Sequence, residues 1–490
     1  MGLTNQLKNQ HLCWRAGFGP SAASFVQIEK SSQKSLFKSI LGASEKSPAY
    51  IDVTDNLLRE LIMRPLAGGD KTERKDLDAE QRKTLRVRSL EQVKILNFSW
   101  LDQMIHSEAQ LREKMAFFWH GHFASRNENI FYQQLLLGII RENALGNFGD
   151  LLHAVSKSAA IINFLNNNQN KKDHPNENFA REVMELFTLG RGHYTEEDVK
   201  EAARAFTGWG ADLQGEFQFR RFQHDFGEKT VLGKTGFFDG DEVLDILLRQ
   251  KQTARFIAKK VYRFFVNDQV DEEKAQWLGD RFYQSNYDIK SLMEDVFTSE
   301  WFYQENNIGS VIKSPVALLV GIRRMLPMEL GNPEAQLLVQ RALGQLLFFP
   351  PNVAGWPGGR NWIDSSALMF RLQIPQLIYA SDQILVRPKD DDDQLMGMKE
   401  MAGLEMIRNN LLKNKTARAI EAKIDWGIYT RQFEKIPRES LTASIADRLF
   451  QTRSPIGEST LRKYVQTGDR ESFIRTTTIQ LMSAPEYQLS

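Results

Sequence analysis

"NFAREVMELFTLGRGHYTEEDVKEAARAFTGW", residues 178–209, carries the pattern that decides the fold class. Apolar residues recur at spacings of three and four on both sides of Gly190 and Gly192, which is typical of two amphipathic helices. The glycines end the first helix, since they readily adopt the left-handed conformation of a helix C-terminus. Thr195 and Asp198 form a capping-box-like start for a second helix that runs to about Phe206. The stretch therefore predicts helix, glycine break and helix.

The same periodicity recurs along the chain, whereas strand signals are few. "GEFQFRRFQHD", residues 215–225, alternates aromatic and polar residues and predicts one strand of a small hairpin. We therefore expect a mainly α protein, an irregular multi-helix array with at most a small β-hairpin. The further helical segments are "SLFKSILG" (35–42), "LREKMAFFWH" (111–120), "TARFIAKKVYRFFV" (253–266) and "IKSLMEDVFTSEWFY" (289–303).

An acidic run marks the predicted domain boundary. "RPKDDDD", residues 387–393, holds four consecutive aspartates, and like charges gain nothing from burial. We predict a main helical domain at residues 1–386, an acidic linker at 387–394, and a C-terminal helical segment at 395–490 that packs on the main domain. The linker should be exposed and easily cut by proteases.

Composition excludes several classes of protein. The net charge of +1 argues against a general nucleic-acid binder, which usually has a basic face. A single cysteine excludes an intrachain disulfide. Because no apolar run is long enough for a signal peptide or a membrane span, we expect a cytoplasmic protein as the chain stands, or an exported one if a leader was removed.

Two histidines lie one residue apart in "FWHGHF", residues 118–123. Side chains two positions apart on a helix point about 200° apart, so His120 and His122 diverge if the helix persists through Gly121. We then expect His122 to face residues 178–185 and His120 the other side. If the helix ends near His120, extended chain lets both imidazoles converge on a metal. The alternative is that the rings pack and cap a helix end.

A polar stripe follows in the fold-deciding stretch. Asn178, Arg181, Glu182 and Glu185 are spaced at i, i+3, i+4 and i+7, so they share one face of a helix. One interpretation is a solvent-exposed face of an amphipathic helix, with ion pairs between side chains of the same helix. The other is an interior polar site, in which two carboxylates one turn apart serve as metal ligands or as an acid–base pair.

A third cluster combines His224, Asp225 and Lys229 with aromatic residues and a glycine turn. A neighbouring His–Asp pair can orient an imidazole or bind a metal. The alternative is a turn with an aspartate cap.

"PPNVAGWPGGRNWID", residues 350–364, predicts an ordered irregular loop, because it is rich in proline, glycine and tryptophan. Such loops often wall a pocket, and Asn352, Trp356 and Trp362 are the candidate lining residues. The alternative is a rigid connection between lobes. Glycine-rich nucleotide-binding motifs, the G-x-S-x-G elbow and H-E-x-x-H do not occur.

Seven segments of the chain form an ordered set of motifs. They are "HLCWRAGFGPS" (11–21), "FWHGHF" (118–123), "NENFAREVMELFTLGRGHYTEEDVKEAARAFTGW" (176–209), "HDFGEKTVLG" (224–233), "TARFIAKKVYRFFV" (253–266), "KSP" (313–315) and "PPNVAGWPGGRNWI" (350–363). In this order they resemble the bacterial family catalogued as domain of unknown function 1800. The resemblance runs from about His11 to Arg371, and is looser after the acidic linker.

The resemblance supplies no activity, because the function of the family is unsettled. Its members are often exported and encoded beside a sulfatase-like family, which implies a sulfatase-like partner protein. Phe187 stands where members often have a histidine, so a site that requires that histidine would be altered here. The resemblance strengthens the candidate residues that lie in its motifs: His122, Asn178, Arg181, Glu182, Glu185, His224 and Asp225.

We therefore expect one pocket built from His120, His122, the 178–185 stripe, and His224 with Asp225. In it the imidazoles and one glutamate bind a divalent metal (zinc, iron or manganese), and the other glutamate activates a metal-bound water. Arg181 holds an anionic group of the substrate. The predicted function is a metal-dependent hydrolase or oxidoreductase. The alternative is a non-catalytic helical adaptor whose aromatic loop docks a partner protein.

Overall fold

A computed structural model describes residues 3–63, 78–381, 420–452 and 458–490 of the chain. The acidic run at residues 387–394 lies outside the described residues, so the predicted boundary stays a prediction. No helix within the described ranges is long and apolar enough to cross a membrane.

Helices make up most of the described structure, so the mainly α prediction is confirmed. Between them lie one π-helical segment, Val183–Thr188, and short 3₁₀ turns at Asn167–Gln169, Arg221–Gln223, Glu300–Tyr303, Gly359–Trp362, Arg438–Ser440 and Pro485–Gln488. The helices are α1 (Asn5–Arg15), α2 (Phe25–Lys30), α3 (Gln33–Ser44), α4 (Asn56–Met63), α5 (Ala79–His106), α6 (Gln110–His122), α7 (Ile130–Glu142), α8 (Phe148–Ser156), α9 (Ala159–Phe164), α10 (Asn178–Glu182), α11 (Glu196–Ala205), α12 (Gly240–Leu248), α13 (Lys251–Phe265), α14 (Glu272–Gln284), α15 (Ile289–Phe297), α16 (Pro315–Met325), α17 (Glu334–Ala342), α18 (Ser365–Ala380), α19 (Trp426–Arg431), α20 (Leu441–Leu449), α21 (Glu458–Leu461) and α22 (Arg470–Met482).

The described strands form three small antiparallel sheets of two strands each. Two are local hairpins, and the first contains the strand expected within residues 215–225. The third pairs segments more than 90 residues apart, which alternation of residue types cannot reveal. The pairs are β1 (Trp209–Ala211) with β2 (Phe217–Phe219), β3 (Lys229–Val231) with β4 (Lys234–Gly236), and β5 (Met328–Leu330) with β6 (Ala422–Ile424).

The stretch 178–209 folds largely as its pattern predicts. The Thr195 hydroxyl accepts from the Asp198 N–H and the Asp198 carboxylate accepts from the Thr195 N–H, so the capping box of α11 is confirmed. Gly190 and Gly192 have φ of +81° and +85°, as expected for a helix end. The first helix differs: α10 has five residues and then widens into the π-helical segment. That widening rotates Glu185 relative to the preceding residues.

Helix α6 lies at the centre of the molecule and packs against α3, α5 and α7. Its residues are buried except at Gly121, which is half-buried. The carboxylate of Glu113 is fully buried. It accepts from Nε and a terminal nitrogen of Arg141 at 3.0 and 2.9 Å, and from the Trp100 indole at 3.0 Å. These bonds tie α5 and α7 to one point of α6.

The described C-terminal residues pack on the rest of the chain. Strand β6 pairs with β5, and α22 packs against α18. The buried guanidinium of Arg371 donates from Nε to Oε1 of Gln488 at 3.0 Å. The amine of Lys313 donates to the Tyr487 carbonyl at 2.5 Å. The last residues therefore form part of the wall around Lys313.

The ion pair of Glu113 gives a stability prediction. The substitution Glu113→Gln keeps the side-chain volume but leaves Arg141 buried without a negative partner. We expect the free energy of unfolding to fall by about 3–5 kcal/mol. Urea denaturation followed by tryptophan fluorescence measures the change.

The matched control is Glu197→Gln, because Glu197 is 72% exposed where it pairs with Lys200. It should change the free energy of unfolding by less than about 1 kcal/mol. Equal losses in the two variants would contradict the anchoring role of Glu113.

Candidate functional site

The two histidines of "FWHGHF" point to opposite sides of α6, because the helix persists through Gly121. Nε2 of His122 lies 3.2 Å from the carbonyl oxygen of Phe187, in the π-helical segment. Nε2 of His120 accepts the Phe348 N–H at 3.2 Å, and its ring packs against Trp100. The two rings therefore diverge, as helix geometry predicts, and their separate roles stay a prediction.

Both ring nitrogens of His122 have protein partners. Nε2 donates to the Phe187 carbonyl, and Nδ1 accepts from Nζ of Lys260 at 3.0 Å. Burial and the charge of Lys260 hold the pKa of His122 well below its usual range, so the imidazole is neutral. The Phe187 ring, where the related family often has histidine, packs 6.0 Å from the His122 ring. His122 thus positions Lys260, whose pKa burial lowers to about 8.

The polar stripe makes a network of ion pairs on the molecule's flank. Arg181 pairs with Glu196 of α11 at 2.6 Å and with Glu177 at 3.2 Å. Glu185 accepts from the Tyr194 hydroxyl and from Nε of Arg191, the latter at 3.0 Å. These contacts hold α10 to the start of α11.

The other two residues of the stripe differ in their partners. The Asn178 amide donates to the Leu165 carbonyl at 3.1 Å. Glu182 is half-buried, and burial followed by the nearby Glu185 raises its pKa. The amide is therefore engaged in holding the backbone, whereas the Glu182 carboxylate forms no hydrogen bond with the described residues.

His224, Asp225 and Lys229 stabilise a turn against α11. Nδ1 of His224 lies 2.9 Å from the Thr207 carbonyl oxygen. Asp225 pairs with Nε of Arg204 at 2.8 Å, and the Lys229 amine donates to the Asp225 carbonyl at 2.6 Å. The arrangement matches the interpretation as an aspartate-capped turn.

The structure does not bring the predicted metal ligands together. His120 and His122 diverge, and the contact residues of His224 are different from those of His122. Across the described ranges, no group of three or more His, Cys, Asp or Glu side chains is placed to hold a metal ion. The expected single pocket of His122, Glu182 and His224 is therefore wrong in its geometry, because His122 contacts Phe187 and Lys260 whereas His224 contacts Thr207.

A cavity of about 920 Å³ opens beside His122 instead. It lies between α1, α6, α13, the segment 306–314 and the loop 352–362. Aromatic rings from four of these five elements line it, and they are Trp14, Phe117, Phe118, Phe264, Trp356 and Trp362. Its basic side chains are Arg15, Lys114, Lys260, Arg263, Lys313 and Arg360, and its acidic side chain is Asp268.

The loop 350–364 lies directly on α6. Gly355 has φ of +84°, and a Cβ there would come within 2.4 Å of the Gly121 carbonyl oxygen, so only glycine fits. Trp356 and Trp362 of this loop line the cavity. Asn352 does not, since its Oδ1 accepts the Ala354 N–H at 2.9 Å and shapes the turn. A Cβ at Gly121 would meet nothing within 4 Å, so this glycine leaves space open.

Among the buried basic groups of the cavity, Lys114 has no oxygen partner in the described residues. Its side chain is 7% exposed, and its amine lies over the rings of Phe18 and Phe264, at 4.7 and 5.6 Å from their centroids. Burial, and after it the charge of Arg15, lowers its pKa to about 7. That change corresponds to a cost of charging on the order of 5 kcal/mol. Cation–π contacts with the two rings offset about 0.5–2 kcal/mol of this cost, so the cost of desolvating the charged amine is the larger of the two effects.

Two more buried basic groups flank Lys114, and both donate to backbone carbonyl groups. Arg15 donates to the Val266 carbonyl at 2.9 Å, and burial lowers its pKa to about 9, so it stays charged at neutral pH. Lys313 lies between the faces of Trp14 and Tyr487, at 3.7 and 3.9 Å. Burial lowers its pKa well below the usual range.

Arg263 and Arg360 are exposed at the mouth of the cavity and form no ion pair with the described residues. Asp268 lies beside Gly359, and burial raises its pKa, whereas Arg15 and the two mouth arginines lower it. One acidic side chain thus faces a cavity lined by six basic side chains, and the last residue, Ser490, also lines it.

The sequence analysis missed most residues of this cavity, because the sequence around one residue does not show which distant segments it meets in the fold. One signal in the sequence did point to the cavity, since five of the seven segments quoted for the family resemblance contribute to its lining. They are those containing Arg15, His122, Lys260 with Arg263, Lys313, and Arg360. The two segments that supplied most of the predicted site, 176–209 and 224–233, contribute no lining residue.

Fold and cavity define a mainly helical protein with a basic, aromatic-lined cavity. The chain belongs to the family described as protein of unknown function (DUF1800), which it matches over residues 11–489. No curated protein and no solved structure gives a significant match to the chain.

The contacts of His122 predict a fixed tautomer. Long-range ¹H–¹⁵N NMR spectra should show the His122 proton on Nε2 at every pH between about 5.5 and 8, since burial and Lys260 oppose a second proton. The variant His122→Gln assigns the signal.

His153 serves as the internal control, because its hydrogen bond to Asp241 raises its pKa, so its ring should titrate in the same spectra. A His122 ring that becomes cationic near pH 6, or that carries its proton on Nδ1, would contradict the described geometry.

Proposed function

We propose that the protein binds a small organic anion in the cavity, with an oxyanionic group held by the basic lining and an apolar or aromatic body held by the rings. The supporting observation is the amine of Lys114, which is buried, faces the cavity and has no oxygen partner among the described residues. Buried charged groups are ordinarily paired, so an unpaired one at a cavity points to a ligand that supplies the partner.

The charge balance of the lining supports an anion rather than a cation. Phosphate, sulfate and carboxylate groups accept hydrogen bonds from guanidinium and ammonium groups, which are shorter and stronger than neutral ones. A ligand oxyanion near Lys114 raises the pKa of its amine. Binding at pH 8 should therefore take up protons, and affinity should fall as the pH rises above about 7.

The size and walls of the cavity support a small organic ligand. Ligand sites typically measure about 300–1,000 Å³ and combine aromatic walls with a few polar groups. The volume of about 920 Å³ and the rings of Trp14, Trp356 and Trp362 fit that description. A guanidinium at the mouth, such as Arg360, can steer an anion inward.

Two functions expected from the sequence remain hypotheses. A metal-dependent hydrolase or oxidoreductase needs ligands that the described residues do not assemble, and both ring nitrogens of His122 already have partners. For the adaptor, the aromatic loop was the expected docking surface, but Trp362 is buried and Trp356 packs on His120. The sulfatase-like partner stays an inference from family resemblance.

Two variants test anion binding, with inorganic sulfate and phosphate as probes in isothermal titration calorimetry. Lys114→Met removes the unpaired amine and keeps much of the side-chain volume. It should weaken binding by at least about tenfold, since a hydrogen bond to a charged group contributes about 1.5–3 kcal/mol. Gly121→Leu should abolish binding, because the new side chain enters space that is open beside the cavity.

Each variant has a matched control. Lys94 is also a buried lysine but pairs with Glu91, so Lys94→Met should leave the affinity unchanged. Gly42 is a helical glycine with nothing within 4 Å and lies away from the cavity, so Gly42→Leu should also bind normally. No binding by the unaltered protein, or equal binding by all four variants, contradicts the proposal.

A further inference from the structure

We propose that the amine of Lys114 is a nucleophile that forms an imine with the carbonyl group of a small anionic ligand, an α-keto acid or a related aldehyde acid. This inference rests on the proposed anion binding and adds the class of ligand and the reacting atom.

Comparison with the other buried lysines singles out Lys114. Four described lysines are buried: Lys94, Lys114, Lys229 and Lys313. Lys94 pairs with Glu91, and Lys229 and Lys313 each donate to backbone carbonyls. Lys114 alone among these four has aromatic faces but no oxygen acceptor beside its amine. Its nitrogen is therefore free to bond to a molecule in the cavity.

The surroundings of Lys114 favour the neutral, nucleophilic amine. Two aromatic rings flank the amine, and the charge of Arg15 opposes its protonation. Desolvation in an apolar site and a neighbouring cation are the two means by which proteins activate lysine for imine formation. Because burial lowers the pKa of Lys114 to about 7, a large fraction of the amine is neutral near pH 7.5.

The reaction needs no co-reactant. The amine nitrogen attacks the carbonyl carbon, forming a C–N bond and a carbinolamine. The carbonyl oxygen then leaves as water with the two amine protons, and a C=N bond remains. Atoms and electrons balance without an oxidant or a reductant. The lining supplies other cations, among them Arg15 and Arg263, that can hold the carboxylate of the ligand.

Borohydride trapping tests the proposal on the full chain. Pyruvate and glyoxylate are incubated with the protein and sodium cyanoborohydride at pH 7.5, and intact mass and peptide mapping locate the reduced adduct. We expect one adduct per chain, on the peptide containing Lys114. At neutral pH the neutral fraction of this amine exceeds that of an ordinary lysine by on the order of 10³, part of which its lower basicity offsets. Labelling should therefore favour Lys114 by at least about tenfold over any other lysine.

Lys114→Arg removes the reacting amine, and arginine cannot form the imine, so this variant should lose the adduct. Titration of the unaltered protein with sulfate separates this proposal from anion binding. Sulfate added in excess should suppress trapping in the unaltered protein. If sulfate binds but no Lys114 adduct forms, or if exposed lysines are labelled equally, the imine proposal is overturned and anion binding stands. If sulfate does not bind at all, both proposals fail.

Discussion

The buried carboxylate of Glu113 is the interaction on which the position of α6 depends. It joins α6 to Arg141 of α7 and Trp100 of α5 within a core that excludes water. Desolvating a carboxylate and a guanidinium is costly, and the loss is recovered only when geometry and hydrogen bonds are complete. Any shift of α6 would leave these charges unpaired. The rotation of α6 is thereby fixed, and with it the directions of Lys114, Gly121 and His122.

The contrast between two kinds of buried basic group explains why we propose this cavity as the binding site. Arg141 has a carboxylate partner, so its charge is neutralised within the core. Arg15, Lys313 and Arg371 instead donate to neutral carbonyl or amide oxygens, none of which carries a negative charge. Lys114 lacks even these. Positive potential thus accumulates at one cavity, and a bound anion would lower its electrostatic energy.

Much of the fold follows from local pattern. The capping box of Thr195, the left-handed Gly190 and the divergence of His120 from His122 all rest on contacts within a few residues, so periodicity and helix geometry predict them. The widening of the helix at Val183–Thr188 was not predictable in this way, because a π-helical turn depends on packing. Glu185 lies in this π-helical segment, and its carboxylate accepts hydrogen bonds from Tyr194 and Arg191.

The candidate site could be predicted only in part. His122, Trp356 and Trp362 were found because they belong to unusual local motifs, and all three line the cavity. Lys114 and Lys260 were missed, since each sits in an ordinary amphipathic helix where lysine usually faces water. Convergence of five distant segments is a property of the tertiary fold. The histidines suggested a metal, but His122 instead accepts a hydrogen bond from Lys260, a relation between residues 138 positions apart.

The most direct measurement is an anomalous diffraction map from crystals soaked in tungstate, a heavy-atom analogue of phosphate and sulfate. The account predicts a tungsten peak inside the cavity within hydrogen-bond reach of the Lys114 amine, and no peak there in Gly121→Leu crystals. Tungsten found only at surface sites, with the cavity empty in the unaltered protein, would contradict the claim that this basic, aromatic-lined cavity is an anion-binding site.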